Sequence, residues 1–244
     1  MRAGSRDRPA SRSEGDAPAD GSPAVAVRSA LLLGATGLVG GHCLRLLLAD
    51  PVYGRVHALV RRSLGHPHPG LVEHVVDFDR LERHTDAVRG DDVFCCLGTT
   101  IGKAGSREAF LRVDHGIPLQ VGRMARANGA RTFLLVSALG ADAGSRIFYN
   151  RAKGEVERDA AALGFAGLVV LRPSLLVGER AERRKGEEVG KRVMGVVGPL
   201  LVGPLRRYRA IRGETVARAM VALAKADVRG VRIVESDEIE RIGA

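Results

Sequence analysis

The sequence predicts an α/β fold, in which a doubly wound parallel sheet forms a single domain with a small C-terminal region added to it. Two observations support this fold class. Apolar runs of strand length alternate with helical segments along most of the chain, and parallel strands need such crossovers between them. The chain also has 244 residues, 45% of them hydrophobic, which is enough for one sizeable core.

Six strands are expected before this alternation changes at Arg172-Pro173, and one more near the C-terminus. The expected strands are 29–33, 55–62, 71–77, 93–97, 132–137, 168–171 and 231–234. A helix is expected directly after the first strand, and others at 107–128, 149–163 and 214–225. The run 93–97 carries no charge, which is typical of a strand that is buried on both faces.

Glycines spaced three apart follow the first strand, at Gly34, Gly37 and Gly40. Gly34 allows a sharp turn, Gly37 leaves room for a pyrophosphate at the backbone, and Gly40 lets the next helix pack closely on the sheet. The free N–H groups at the start of that helix form an anion site. The pattern is typical of the dinucleotide-binding turn of a Rossmann fold, although a tight turn without a ligand also explains the glycines taken alone.

The end of the second strand carries two arginines, Arg61 and Arg62. An acidic residue at this place would bind the free ribose 2′-hydroxyl of NAD, whereas guanidinium groups would bind a 2′-phosphate. In combination with the glycine turn, the arginine pair favours NADP(H) as the cofactor. The alternative is a solvated pair of arginines at the end of a strand.

Tyr149 and Lys153 lie four residues apart, on one face of the helix that follows the fifth strand. A nearby ammonium group stabilises a phenolate, so the phenol can donate or accept a proton closer to neutral pH. The fifth strand ends at Ser137, whose hydroxyl could polarise a substrate carbonyl. These three residues are the predicted catalytic group, although a Tyr–Lys pair at this spacing is also common on solvated helices.

Several further motifs accompany these residues and are similar to those of one known family. The chain resembles the atypical short-chain dehydrogenase/reductases, in particular the Tat-interacting-protein group of NADPH-binding Rossmann proteins. The resemblance runs from about Ala30 to the C-terminus. The motifs that carry it are Gly34-Ala-Thr-Gly-Leu-Val-Gly40, the pair Arg61-Arg62, Asp77-Phe78, Cys95-Cys-Leu-Gly-Thr-Thr100, Lys103-Ala-Gly105, Val113-Asp114, Ser137, Tyr149 with Lys153-Gly-Glu-Val-Glu157, and Arg172-Pro173.

This resemblance implies a set of cofactor-binding residues along the chain. The implied set is Gly34, Thr36, Gly37, Leu38, Val39, Gly40, Arg61, Arg62, Asp77, Phe78, Leu97, Gly98, Thr99, Tyr149, Lys153 and Pro173. Asp77 and Phe78 would lie near the adenine, but Asp77 could instead cap the helix that follows it. The better-studied dehydrogenases usually carry an asparagine where this chain has Asp114, so their proton relay does not transfer to it.

Basic residues are concentrated in one segment. Residues 172–213 contain eleven Lys and Arg against four Asp and Glu, within a chain whose formal net charge is +10. We expect residues 1–28 to be a disordered tail and 29–244 to be an NAD(P)-binding Rossmann domain, with 173–244 as a substrate or lid region. The basic segment suits an apolar or anionic small-molecule substrate, or a peripheral contact of 180–212 with an anionic membrane. Nucleic acid is a less favoured partner because Tyr208 is the one aromatic residue of the segment.

Three cysteines without a disulfide framework indicate a reducing compartment, and a cytoplasmic protein is expected. Neither the cysteines nor the seven histidines have the spacing of a metal site, so no metal is expected. The favoured function is an NADPH-dependent oxidoreductase that passes hydride to a carbonyl or enoyl substrate. A non-catalytic NADPH-sensing interaction protein and a nucleotide-sugar epimerase are the alternatives, and the oligomeric state is left open.

Overall fold

The strands of the structure form one large sheet and one small one. The computed structural model describes residues 27–65, 67–178 and 203–244. The strands of the large sheet are β1 Arg28–Leu33, β2 Tyr53–Val60, β3 Leu71–Val75, β4 Asp92–Cys95, β5 Thr132–Val136, β6 Gly167–Arg172 and β9 Gly230–Glu235. The small sheet contains two parallel strands, β7 Leu176–Val177 and β8 Ile211–Arg212.

The large sheet is parallel throughout, with the strand order β3-β2-β1-β4-β5-β6-β9. The order reverses between β1 and β4, which lie side by side although two strands separate them in the chain. In open parallel sheets, ligands bind outside the carboxyl ends of the strands at such a reversal. The predicted fold class is therefore confirmed, and the glycine turn that follows β1 lies at the reversal point.

Helices cover both faces of this sheet. Within the described residues, the α-helices are α1 Leu38–Ala49, α2 Ile101–Ala104, α3 Arg107–Leu111, α4 Ile117–Ala127, α5 Phe148–Ala161, α6 Gly213–Lys225 and α7 Ser236–Gly243. The same part of the chain contains 3₁₀ segments at Leu81–Ala87 and Gly203–Tyr208. The predicted helix 107–128 is present as α3 and α4, joined by a π-helical turn at Arg112–Gly116.

Alternate residues of the buried strands pack into two separate apolar layers. Leu32 and Phe94 point into the layer under α1 and α6, whereas Leu33 and Cys95 point into the layer under α4 and α5. Because both faces are covered, the strands contain continuous apolar runs, as parallel strands generally do.

The C-terminal region, which was expected to be a substrate or lid region, packs closely into the main fold. β9 is the seventh strand of the large sheet, and α6 buries Val216 and Met220 against α1. Residues 179–202, the central part of the expected lid and of the basic segment, lie outside the described residues. The same holds for residues 1–26 of the expected tail, while Arg28 already belongs to β1 and donates a hydrogen bond to the carbonyl of Ala224.

Two stacked histidines lie on the neighbouring strands β2 and β3. Nδ1 of His57 is 3.0 Å from Nε2 of His74, and the two rings are nearly parallel. Burial, followed by the positive charges of His74, Arg89 and Arg55, lowers the pKa of His57 to about 4. Burial and Arg89 also lower the pKa of His74. The fold therefore favours the neutral form of both rings.

We expect acid to destabilise the protein partly through these rings. Above pH 6.5 both rings are neutral in the folded and unfolded chains, but between pH 6.5 and about 4 the unfolded chain binds protons that the folded chain does not. For such half-exposed groups this amounts to about 1 kcal/mol, or about 2–4 °C in Tm. The Tm of a His57→Gln/His74→Gln variant should therefore fall less steeply over this range than that of the wild type. An equal slope in both proteins would contradict the expectation, and the exposed His68→Gln is the control.

Candidate active site

The turn between β1 and α1 can be made only with glycine. Gly34 has a φ of +82°, and a Cβ placed on it would lie 2.6 Å from the carbonyl oxygen of Cys96. A Cβ on Gly40 would overlap the carbonyl oxygen of Gly34. The first turn of α1 therefore lies directly against the end of β1, at the point where β4 also ends.

The start of α1 has the features of an anion site. Its N-cap is Gly37, which has no side chain to accept hydrogen bonds from the first N–H groups of the helix. Thr36 and Gly37 are exposed, whereas Leu38 and Val39 are buried and anchor the helix. Uncapped N–H groups together with the helix dipole favour a phosphate at this position.

The ends of β2 and β3 add charged and aromatic groups to the same edge of the sheet. Arg61 and Arg62 directly follow β2, and both are exposed. Asp77 is exposed and accepts a hydrogen bond from the N–H of Asp79, two residues before the 3₁₀ segment begins. The carbonyl of Phe78 accepts a hydrogen bond of 2.7 Å from Arg112.

The segment after β4 is connected to the helical layer by a buried carboxylate. The chain continues from β4 past the glycine turn through Leu97, Gly98 and Thr99. The N–H of Thr99 donates a hydrogen bond of 2.8 Å to Oδ2 of Asp114. Asp114 lies in the π-helical turn and is 3% exposed. π turns inside α-helices are frequent at functional sites.

The other oxygen of Asp114, Oδ1, lies 2.7 Å from Nζ of Lys153, and both side chains are buried. Burial by itself lowers the pKa of Lys153, but the attraction of Asp114 and Tyr149 and the hydrogen bond to Asp114 outweigh it. The pKa therefore lies above its ordinary value. The charged form of Lys153 is therefore favoured, and Asp114 in the π-helical turn holds its ammonium group in place.

Tyr149 lies one helical turn before Lys153 on α5 and is half-buried. Its ring centroid is 5.8 Å from that of Phe110, and Lys153 interacts with it electrostatically. The structure thus brings Tyr149 and Lys153 together as their spacing predicts. It also adds Asp114, whose pairing with Lys153 could not be identified from spacing alone.

Ser137 lies outside this group. Its hydroxyl donates a hydrogen bond to Glu157, one turn beyond Lys153 on α5, and Glu157 in turn binds Arg172 at 2.6 Å. A serine hydroxyl has one proton to donate. That proton is used in a buried structural network, so the geometry does not support the predicted role of Ser137 in polarising a carbonyl.

Pro173 follows β6 and closes the same edge of the sheet. Its carbonyl accepts a hydrogen bond of 2.9 Å from the N–H of Leu139, which connects the ends of β5 and β6. Predicted cofactor residues therefore follow the carboxyl ends of β1, β2, β3, β4 and β6, and Asp114 connects Lys153 of α5 to Thr99 at this edge. Within the described ranges, no group of three or more His, Cys, Asp or Glu side chains is placed to hold a metal ion.

Comparison with known proteins gives relatives over most of the chain. Residues 30–226 match the model of the NAD dependent epimerase/dehydratase family. The chain is 38% identical to the protein FMP52, mitochondrial, of Eremothecium gossypii over 218 residues, which cover 86% of this chain and 95% of that protein. It is also 38% identical to the protein HTATIP2 of Rattus norvegicus over 172 residues, which cover 69% of this chain and 71% of that protein.

Solved structures share the fold at low sequence identity. MoeE5 in complex with UDP-glucose and NAD superposes with a TM-score of 0.65 at 18% identity, over 88% of this chain and 81% of that one. A UDP-N-acetylglucosamine 4-epimerase from Methanobrevibacter ruminantium M1 superposes with a TM-score of 0.63 at 15% identity, over 88% of this chain and 80% of that one.

The comparisons overturn the expected cytoplasmic location. Relatives from Eremothecium gossypii, Aspergillus niger and Saccharomyces cerevisiae are all named mitochondrial, so the expectation was wrong. Its physical basis was insufficient, because free thiols indicate a reducing compartment without identifying which one. Among the described helices, none is long and apolar enough to cross a bilayer.

The relatives also confirm the resemblance that the motifs indicated. The glycine turn, the segment after β4 and the Tyr149–Lys153 pair all fall within the matched residues. The chain therefore belongs to the NAD dependent epimerase/dehydratase family and, within it, to the Tat-interacting-protein-like group.

Proposed function

We propose that this protein is an NADPH-dependent oxidoreductase that reduces a carbonyl or an enoyl group. The observation that carries the proposal is the buried ion pair between Lys153 and Asp114, which holds a cation beside the phenol of Tyr149 at the carboxyl edge of the sheet. A cation fixed beside a half-buried phenol is the arrangement that proton transfer to a substrate oxygen requires.

The residues present fit a dinucleotide. A Cβ would fill the space at Gly34 and Gly40, and the start of α1 leaves its N–H groups without a side-chain cap. The pyrophosphate would lie on the backbone between Gly34 and Gly40, with Leu97, Gly98 and Thr99 bordering the nucleotide. Asp77 and Phe78 would lie near the adenine, and Pro173 near the nicotinamide.

The reduced nicotinamide supplies the hydride when it is bound, and the side chains of this protein manage the proton. The phenol of Tyr149 donates its proton to the oxygen of a carbonyl substrate, whose carbon receives the hydride. In an enoyl substrate the β-carbon receives the hydride and the α-carbon receives the proton. The ammonium of Lys153 then stabilises the phenolate left behind, since opposite charges at close range favour the ionised form. Asp114 keeps that ammonium in place. The two N–H groups of Lys153 that do not face Asp114 can hold the hydroxyl groups of the ribose.

The two exposed arginines at the end of β2 support NADPH over NADH. A guanidinium group forms paired hydrogen bonds with phosphate, and a hydrogen bond to a charged group contributes about 1.5–3 kcal/mol. We expect Arg61→Ala and Arg62→Ala each to weaken NADPH binding about tenfold, and the double variant about a hundredfold. Binding of NADH, which lacks the 2′-phosphate, should change by less than about threefold.

Calorimetric titration of each variant with both nucleotides checks this expectation. Arg55→Ala is a matched control, because Arg55 is an exposed arginine on the same strand that lies far from its carboxyl end. Equal losses for NADH and NADPH, or a wild type that prefers NADH, would contradict the assignment of the arginine pair.

The exposed arginines of the described part of the basic segment support a substrate that carries an acidic group. Arg206 and Arg207 lie in the exposed 3₁₀ segment, and Arg212 directly precedes α6. The test follows NADPH consumption with a panel of medium-chain and long-chain aldehydes, ketones and enoyl compounds, each with and without a carboxylate. Faster turnover of the acidic members supports the substrate class, and equal rates would exclude it.

The same panel separates catalysis from sensing. Tight NADPH binding without turnover of any compound would overturn the enzymatic proposal and favour a protein whose NADPH occupancy controls an interaction surface. In a separate assay, conversion of a UDP-sugar to its epimer without net consumption of cofactor would instead favour an epimerase.

A further inference from the structure

Three sulfur atoms from different parts of the chain meet in the core. Cys43 lies on α1, Cys96 directly follows β4, and Met220 lies on α6. The two Sγ atoms are 3.8 Å apart, and Sδ of Met220 lies 3.8 Å from Sγ of Cys96 and 3.9 Å from Sγ of Cys43. The three atoms therefore form a nearly equilateral triangle, which we call the sulfur triangle.

The sulfur triangle has the size expected for three sulfur ligands around one metal ion. The centre of an equilateral triangle lies at the side length divided by the square root of three from each corner. That distance is about 2.2 Å here, close to the metal–thiolate distance of about 2.3 Å in protein sites. An ion at the centre would reach all three sulfur atoms without movement of α1, β4 or α6.

The donor set selects for one kind of ion. Thiolate and thioether sulfurs are soft ligands that favour Cu(I), whereas structural zinc sites use four ligands chosen from Cys, His and carboxylates. The surroundings are apolar, since Cys43 and Met220 are fully buried in the layer under α1 and α6. Cys96 packs against the same apolar layer.

We propose that Cys43, Cys96 and Met220 form a three-coordinate site for a single Cu(I) ion. Binding forms two copper–thiolate bonds and one copper–thioether bond, and the two thiol protons leave to solvent, with no change in oxidation state. Because the cysteines bind as thiolates, the ion competes with protons and binds more weakly as the pH falls. This inference goes beyond the proposed function and does not depend on it.

The chain offers a matched control for the two cysteine ligands and a volume-conserving variant for the methionine. Cys95 directly precedes Cys96 in the chain and is fully buried, as Cys43 is. Its side chain lies in the opposite layer, under α4 and α5. Cys95→Ser therefore removes a buried thiol without touching the sulfur triangle. Met220→Leu removes the thioether while nearly preserving the volume of the side chain, so the core stays filled.

The test is an anaerobic titration of the fully reduced protein against the Cu(I) complex of bathocuproine disulfonate, followed by the absorbance of that complex. The wild type and Cys95→Ser should each withdraw one equivalent of copper. Cys43→Ser, Cys96→Ser and Met220→Leu should weaken binding by more than the roughly 10- to 100-fold that loss of an outer-shell partner costs.

X-ray absorption of the copper-loaded wild type should show three sulfur neighbours at about 2.3 Å. This measurement decides the question even if a cysteine variant fails to fold. A wild type that takes no copper from the chelator would overturn the proposal. Equal loss of binding in Cys95→Ser, or a copper ion with two sulfur neighbours, would overturn it as well.

Discussion

Replacing Tyr149 by phenylalanine is expected to lower kcat about 10²- to 10⁴-fold, the usual contribution of a positioned acid or base. The change removes one oxygen atom and leaves the aromatic contact between this ring and Phe110 in place. Since most of the lost interaction develops during proton transfer, the dissociation constant of NADPH should change far less than kcat, even though Tyr149 is also among the implied cofactor residues. Steady-state rates with the best compound of the panel, together with NADPH titration, measure both quantities.

Tyr208→Phe is the control for this substitution. Tyr208 is an exposed tyrosine of the second 3₁₀ segment, and its ring contacts the guanidinium of Arg207. Its replacement also removes one tyrosine hydroxyl, but away from Lys153, and it should lower kcat far less than Tyr149→Phe does. If Tyr149→Phe kept the wild-type rate, another group would have to supply the proton, and the proposed role of Tyr149 would be lost.

The fold could be predicted because its main signals are local. Strands such as β4 and β5 consist of continuous apolar runs, and the turn at Gly34 depends on backbone conformation and close approach over a few residues. β9 was predicted as a strand from its apolar residues, but its place beside β6 depends on pairing across about sixty residues. β7 and β8 have two residues each, which is too short for a periodic pattern.

The candidate site was predicted less completely, because its decisive contacts join distant parts of the chain. The spacing of Tyr149 and Lys153 is local and was readable. The position of Ser137 at the end of β5 suggested catalysis, but its hydroxyl binds Glu157, which lies twenty residues further on. Glu157 continues the helical face of Tyr149 and Lys153 at the next i+4 position, a signal that could have identified it.

Asp114 is the residue whose role depends most on the folded structure. It was noted as a departure from the usual asparagine, but its partners became clear only once the π-helical turn was packed against α5 and the segment after β4. One carboxylate joins Thr99, at the edge of the expected nucleotide site, to Lys153, in the proton-transferring pair. Cofactor binding and catalysis would therefore depend on the same buried group.

Replacing Asp114 by alanine should accordingly be among the most destabilising substitutions in the chain. It leaves the buried ammonium of Lys153 without its counter-charge and the N–H of Thr99 without its acceptor. Removing one partner of a buried ion pair costs about 3–5 kcal/mol, which corresponds to a decrease in Tm of about 10 °C. Asp159→Ala, which breaks a half-exposed pair with His115, should cost less than about 1 kcal/mol.

A double variant distinguishes an ion pair from a simple loss of packing. Asp114→Ala/Lys153→Met removes both charges, so it should unfold at a higher temperature than Asp114→Ala alone even though it carries an additional substitution. Asp114→Asn keeps an acceptor for Thr99 but removes the attraction that outweighs burial, so the pKa of Lys153 should fall below that in the wild type. Its kcat should then decrease at a lower pH than that of the wild type. If the double variant were the least stable of the three and the pH profile did not move, Asp114 would contribute packing alone and would not position Lys153.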